Sequence, residues 1–509
     1  MVVTGSWDDD VMSVINTRSG PSNITYYRPQ GHNMVHQDYI RRDRDIIYIR
    51  DEPGKDYFIF VDHVSQKEPL WHGWLWQSWN QVYLNNEVNH SAYQLQGDNQ
   101  VRLLRPNADL QFSFVAPGDL EFEVEDAPGQ PKTAYMMDHN LLTLRALAGR
   151  YESVNAKRIV ITPDAWTGFG LLVDSAMDAT DPRAPITEQM YRIIGRDHLV
   201  KSQDESLNSF TVEEPLLAGT RYRMRMQFSK TDLAVYENLA WRLNLSLLNQ
   251  DGDVLLDGES EYQKPSTLSM RDPRSFTKTT PWLWTQWVYF DVPENLDVRQ
   301  IKGDLLAGEY SHPPTRIHED SVLNIGSIEI EPVGVVERKT AETFVAILHP
   351  LKKGTDAPAM EFSQSGDARI GMIKQTEFAQ DWIIANAYSP TKFQWGTVVA
   401  ELAWVRVDDD DIVTNVYLRK AEYLELEGQE ILKNAGPLDI AIQLTRGGQI
   451  TSIRASVDGA TEMTMFGRTY PLGNGFHVAG ENLRFQPDES VASVESNTIK
   501  SQETLRYGL

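Results

Sequence analysis

Two histidines four residues apart, His32 and His36, stand beside Asp38 in the stretch Gly31-His32-Asn33-Met34-Val35-His36-Gln37-Asp38. Imidazole titrates near neutral pH, so such a pair can move protons, ligate a metal, or be held structurally by its surroundings. A strand-and-loop context suits the metal reading least, because i, i+4 ligation belongs to helices. Just downstream, Arg41, Arg42 and Arg44 carry guanidinium forks that fit carboxylate or sulfate. The other reading of these arginines is a sandwich edge paired with Asp43 and Asp45.

Aromatic side chains supply a second kind of chemistry, since the flat face of a pyranose suits an indole. In Trp71-His72-Gly73-Trp74-Leu75-Trp76-Gln77-Ser78-Trp79, strand alternation puts Trp74 and Trp76 on one face and Leu75 on the other. Core packing is the expected role for most of these. Trp282 and Trp284, with Trp287 nearby, lie in Thr280-Pro281-Trp282-Leu283-Trp284-Thr285, which reads more as a loop than a strand. Trp282 and Trp284 are therefore candidate sugar contacts, with core packing as the alternative. Asn249-Gln250-Asp251-Gly252-Asp253 gathers oxygen ligands around a glycine. It lacks the glutamate spacing of an EF-hand, so a hairpin turn is set against a structural Ca2+ site, and no other metal or cofactor is expected. No phosphate-cradling glycine loop, nucleophile elbow or zinc helix occurs.

The elements that must position these residues are strands. Ile46-Ile47-Tyr48-Ile49 and Tyr57-Phe58-Ile59-Phe60-Val61 flank Asp51-Glu52-Pro53-Gly54-Lys55, a hairpin with Pro and Gly in its turn. Further strands are expected at 101–104, 110–115, 120–124 and 158–162. Helical periodicity is scarce. With 509 residues the chain exceeds a single core, and roughly two to four modules are expected. The character changes near Thr162-Pro163-Asp164. The expected fold is all-β: a large antiparallel β-sandwich formed by residues 1–163 and 336–486, an inserted jelly-roll of carbohydrate-binding type at 164–335, and a polar tail at 487–509.

Composition narrows the functions. A net charge of −24 opposes nucleic-acid binding, which needs a field of the opposite sign, and the acidity reads as solubility. Asp408 to Asp411 reads as a solvated turn. The absence of cysteine excludes thiol catalysis, Cys-ligated zinc, iron–sulfur clusters and disulfides. No stretch is apolar enough for a membrane span. Met1 to Trp7 has no signal-peptide pattern, so export information is expected to lie outside this sequence.

Several segments together resemble the heparinase II/III-like polysaccharide lyases. Arg41-Arg42-Asp43-Arg44-Asp45-Ile46-Ile47-Tyr48 followed by Asp56-Tyr57-Phe58-Ile59-Phe60-Val61-Asp62-His63-Val64 is similar to a segment of that family's β-sandwich. Ser6-Trp7-Asp8-Asp9-Asp10 with Arg18-Ser19-Gly20-Pro21 looks like the start of the same sandwich, and Thr343 to Pro350 is similar to a later strand. The resemblance covers residues 1–163 and about 336–486. It implies β-elimination on a uronate-containing polysaccharide, with His32 and His36 in the place of the family's histidine-rich stretch as catalytic groups. Arg41 and Arg42 are then substrate contacts. The family also uses a helical toroid that this strand-rich chain lacks, so an upstream helical domain or partner is implied. The alternative is a non-catalytic carbohydrate-binding or structural β-sandwich protein. Either role implies an extracellular or periplasmic location.

Overall fold

A computed structural model describes residues 2–8, 12–19, 40–50, 56–70, 72–79, 81–84, 87–128, 140–149, 151–168, 191–194, 208–231, 241–257, 268–271, 279–307, 322–335, 339–375, 379–434, 438–445, 448–457, 459 and 461–487. Every strand pairing among them is antiparallel, and the all-β sandwich architecture expected from the patterning is what these residues form. No helix among them is long and apolar enough to cross a membrane.

Both ends of the chain meet in one eight-stranded sheet. Lys339–Lys352 is inserted between Tyr57–Leu70 and Ala108–Ala116, with Ile347 opposite Ile59 and Leu348 opposite Phe112. This central sheet is covered on both faces. On one, Ile47, Tyr57, Ile59 and Ile347 pack against Ile383, Leu402, Trp404 and Tyr417 of a thirteen-stranded sheet built within residues 360–487. On the other, Phe112, Phe114, Phe344 and Leu348 pack against Trp74, Leu142 and Leu144 of a three-stranded sheet, Leu120–Pro128, Asn140–Ala148 and Gly73–Trp79. A strand buried on both faces needs apolar residues at odd and even positions alike. Phe344-Val345-Ala346-Ile347-Leu348 is such a run, and all five residues are buried.

Alternation does the reverse in Gly73–Trp79. Trp74 and Trp76 stack in the core with ring centroids 5.9 Å apart, while Leu75 opposite them is exposed. The buried Trp74 indole N–H donates to Asp62 at 2.8 Å.

The middle of the chain forms two further six-stranded sheets around a core of its own. Phe210, Tyr222, Met224, Met226, Phe228, Leu245 and Ile328 lie in it, and so do Ile159 and Ile161 just before the change of character. A short 3-10 turn at Pro163–Ala165 marks that change. Asn249 to Asp253 closes the hairpin between Trp241–Leu248 and Val254–Asp257. There Asn249 Oδ1 accepts the backbone N–H groups of Asp251 and Asp253, and Gly252 takes a φ of 86°. The Asn249 and Asp253 side chains bond each other at 3.0 Å, so the oxygens organise the turn. Asp408 acts alike, its Oδ1 accepting from the backbone of Asp410 and Ile412.

Candidate functional site

The two outer layers of the central sheet create two polar places. One is the seam between the central and thirteen-stranded sheets. Odd-numbered residues of the central strands face this seam, so the polar ends of apolar strands, Asp43, Asp45, His63 and Thr343, are brought together beyond Ile47 and Val61. Across it stand Tyr388, Glu401, Arg419 and Lys420.

Tyr388 reaches the seam through a local irregularity. Strand Gln380–Phe393 pairs Ala387 with Ala400 and Thr391 with Val398, so Tyr388, Ser389 and Pro390 oppose one residue. Asn386 takes a φ of 59° just before this bulge. Pro390 cannot donate to the ladder and suits a bulge, and bulges commonly re-aim a side chain. Tyr388 emerges 61% exposed. Thr343 Oγ1 lies 2.9 Å from His63 Nδ1, and the Tyr388 phenol stands near the same hydroxyl. An imidazole, a hydroxyl and a phenol therefore gather in one place.

Charges around these groups set their protonation. Burial lowers the pKa of His63, with Glu401 acting the other way, so the ring is neutral and can accept a proton. Partial burial raises the Tyr388 phenol, and Glu401 raises it further. Burial would lift Glu401 too, but Arg419 and Lys420 outweigh it and hold the carboxylate below its usual range. Arg419 ion-pairs with both Asp45 and Glu401, and Lys420 with Glu401. A neutral base and a protonated phenol beside a fixed ion cluster are suited to proton transfer.

The second place is the junction between the inserted sheets and the three-stranded sheet. In Arg221–Thr231, Tyr222, Met224, Met226 and Phe228 turn inward, so Arg221, Arg223 and Arg225 form an outward row. The arginines pair across the sheet with Asp291, Glu331 and Glu329. Aromatic rings lie on this row: the Arg223 guanidinium is 4.3 Å from the Trp287 ring, and Arg225 is 4.3 Å from both Trp284 and Trp287. Arg145 and Arg221 stand 5.4 Å and 5.3 Å from the Tyr289 ring.

An acidic row faces this one. Glu121, Glu123 and Glu125 lie on the face of Leu120–Pro128 opposite the core residues Leu120 and Phe122. Glu125 accepts the backbone N–H of Trp287 at 2.6 Å, and Tyr289 donates its hydroxyl to Glu123. Burial raises the Glu123 pKa against the opposing pull of Tyr289 and Arg145. The row opens toward solvent at the Arg225 end, where Arg158 pairs with Glu329 and Glu331 and is half exposed.

The sequence-derived sites fare unevenly. His32 and His36 lie outside the described residues. Arg41 and Arg42 lie on Ile40–Ile49, opposite Ser65 and Val64; this strand sits between Met12–Ser19 and Tyr57–Leu70, so it is not a sheet edge. Of their neighbours, Arg44 forks onto Asp62 rather than onto Asp43 or Asp45, its Nη2 donating at 2.9 Å. Trp282 and Trp284 belong to strand Thr279–Trp284 rather than to a loop. Leu283 packs on the inserted core, which leaves both indoles on the outward face, half-buried. The structure thus brings Trp284 and Trp287 together and adds His63, Tyr388, Glu125, Arg145, Arg223 and Arg225. The alternation of Arg and apolar residues at 221–226 was a readable signal for the arginine row. Tyr388 carried a weaker one, a proline breaking a strand.

No family model matches the chain, and no curated protein matches it. Among solved structures, the N-terminal CBM22-1-CBM22-2 tandem domain of Xyn10C from Paenibacillus barcinonensis aligns at 10% identity, covering 67% of this chain and 88% of that one, with a TM-score of 0.22. The VP2 subviral particle of infectious bursal disease virus aligns at 11% identity over 68% of this chain and 81% of that one, with a TM-score of 0.21.

Proposed function

We propose that this chain binds polysaccharide in the junction between its inserted sheets and its three-stranded sheet. The observation that carries this reading is the outward pair Trp284 and Trp287, both held 4.3 Å from the Arg225 guanidinium. Bracing by a guanidinium gives an indole the rigid, amphipathic face that a pyranose can stack on, and it pre-pays the ordering of the side chain. Residues 164–335 form the inserted module that presents this face, and an extracellular or periplasmic setting is where such a ligand is met. Affinity electrophoresis through gels containing uronate polymer tests the reading. Retention should fall roughly tenfold for Trp284→Ala with the melting temperature little changed. Equal retention of the variant and the parent chain counts against it.

A second reading, β-elimination on a uronate-containing polymer, is favoured by the gathering of His63, with its bond to Thr343, and Tyr388 in the seam. Elimination needs a base for the C5 proton, an acid for the leaving oxygen and a cation near the carboxylate. Within the described residues His63 and Tyr388 suit the first two roles. Arg419 already has two carboxylate partners, so in this reading the substrate's carboxylate is neutralised by a helical domain or partner, or by Arg41 and Arg42.

A further inference from the structure

The Glu125 carboxylate is bound at both oxygens. Oε1 accepts the backbone N–H of Trp287 at 2.6 Å, and Oε2 accepts Arg145 Nη2 at 2.7 Å. Arg145 stands on strand Asn140–Ala148, and Trp287 immediately precedes strand Val288–Asp291 on the other side of the junction. The Trp287 and Tyr289 rings lie alongside, each faced by guanidinium groups. Arg145 has a second carboxylate, Glu123, only at 3.8 Å. Two converging donors beside flat aromatic faces are what a sugar carboxylate and its ring require.

We propose that Glu125 fills a carboxylate subsite of the junction, and that the carboxylate of a uronic acid takes its place when polymer binds. The inference rests on the reading of the junction as a glycan site, and it adds a ligand class and an internal competitor. Glu125 leaves by rotating its own side chain, with no backbone movement. Until it does, the subsite is closed, so the apparent affinity for acidic sugar is reduced by the fraction of time the subsite stands open. Removing the carboxylate leaves the Arg145 guanidinium, largely shielded from water, short of its best partner, and such a cation recruits an anion. Neutral sugars, which have no use for the fork, gain nothing.

Titration calorimetry on the full chain tests this with oligogalacturonate and alginate oligomers as acidic probes and a neutral galacto-oligosaccharide of equal length. Glu125→Ala should bind at least one acidic oligomer about tenfold or more tightly than the parent chain, the range of one charge-assisted hydrogen bond regained. The neutral oligomer should bind both alike. Glu125→Gln, which keeps an acceptor for Trp287, should shift the acidic affinity in the same direction by less, and it serves alone if the alanine variant does not fold. An unchanged ratio of acidic to neutral affinity in a folded variant overturns the subsite and leaves Glu125 a structural latch, while the glycan reading stands through Trp284. Absence of binding by every oligomer to every variant overturns the glycan reading itself, and the subsite with it.

Discussion

The Tyr57 hydroxyl donates to Asp381 Oδ2 at 2.6 Å, joining the central sheet to the thirteen-stranded sheet across 324 residues of sequence. The same oxygen accepts the Trp404 indole N–H at 2.8 Å, and Arg406 grips Asp381 with two bonds of 2.7 Å. Burial raises the Tyr57 phenol, and Asp381 raises it further, so it is protonated and acts as a donor throughout the physiological range. Tyr57→Phe keeps the ring and removes the oxygen, leaving the buried Trp404 N–H without its acceptor. The expected loss is about 1–3 kcal/mol. Urea unfolding should show a lower midpoint at constant slope.

Arg419 is the more severe case. It answers two buried carboxylates, Asp45 and Glu401, from the two facing sheets. Arg419→Met fills the volume and leaves both acids short of a cation, although Glu401 keeps Lys420. Breaking a buried pair from one side typically costs about 3–5 kcal/mol. Adding Asp45→Asn to Arg419→Met should recover part of that loss, which denaturation of the single and double variants measures.

His349 gives the seam a pH dependence. It is 2% exposed, packs on Tyr57 with ring centroids 4.9 Å apart and ring planes tilted by 36°, and neither ring nitrogen has a hydrogen-bond partner among the described residues. Burial pulls its pKa from 6.5 down to about 4, with Asp381 opposing. The unfolded chain therefore takes up this proton first as pH falls. The stability tied to the neutral ring is whole above about pH 6.5 and is lost progressively toward pH 4, in total about 3 kcal/mol. His349→Leu should flatten that part of the stability curve between pH 6.5 and 4. An acid branch as steep as the parent's would assign the loss to carboxylates instead.

These three sites show what was legible in the sequence. Strand alternation put Trp74 and Trp76 on one face and Leu75 on the other, as the structure has them, because alternation reports directly on which face is covered. The loop reading of Trp282 and Trp284 failed because Pro281 suggested a break, whereas Leu283 anchors the strand in the inserted core. The seam was not legible. His63 and Tyr388 lie 325 residues apart, and nothing local in the sequence states that a bulge at Tyr388 faces the end of strand Tyr57–Leu70. The glutamate row at 121, 123 and 125 was visible as an alternating strand, but its partner at Trp287 was a tertiary fact.

Residues 164–335 are expected to survive as a folded fragment. Their core is made almost wholly within the module, with Ile159 and Ile161 as the additions from just outside. Limited proteolysis should release a resistant piece of roughly these bounds, and a fragment begun at residue 157 should melt higher than one begun at 164. Cleavage that yields only unfolded peptide would show that the junction, not the core, holds the module together.

The chemistry is tested by the product that elimination leaves, a C4=C5 double bond conjugated to the carboxylate, which absorbs in the near ultraviolet. With alginate or a glycosaminoglycan the chain alone should show little of this absorbance, since in this reading part of the acid–base and charge-neutralising machinery lies on a helical partner. Supplied with a helical partner it should turn over, and the rate should depend on the seam. His63→Ala and Tyr388→Phe should each lower kcat by about the 10²–10⁴-fold expected for a lost general base or acid. Thr343→Val removes only the hydroxyl bonded to His63 and keeps the shape, so it should cost less and shift the limb of the pH profile that the imidazole governs. The variants His32→Ala and His36→Ala separate the two possible locations of the base. Loss of activity there, with His63→Ala unaffected, would move the chemistry to the residue 31–38 stretch and leave the seam a structural ion cluster.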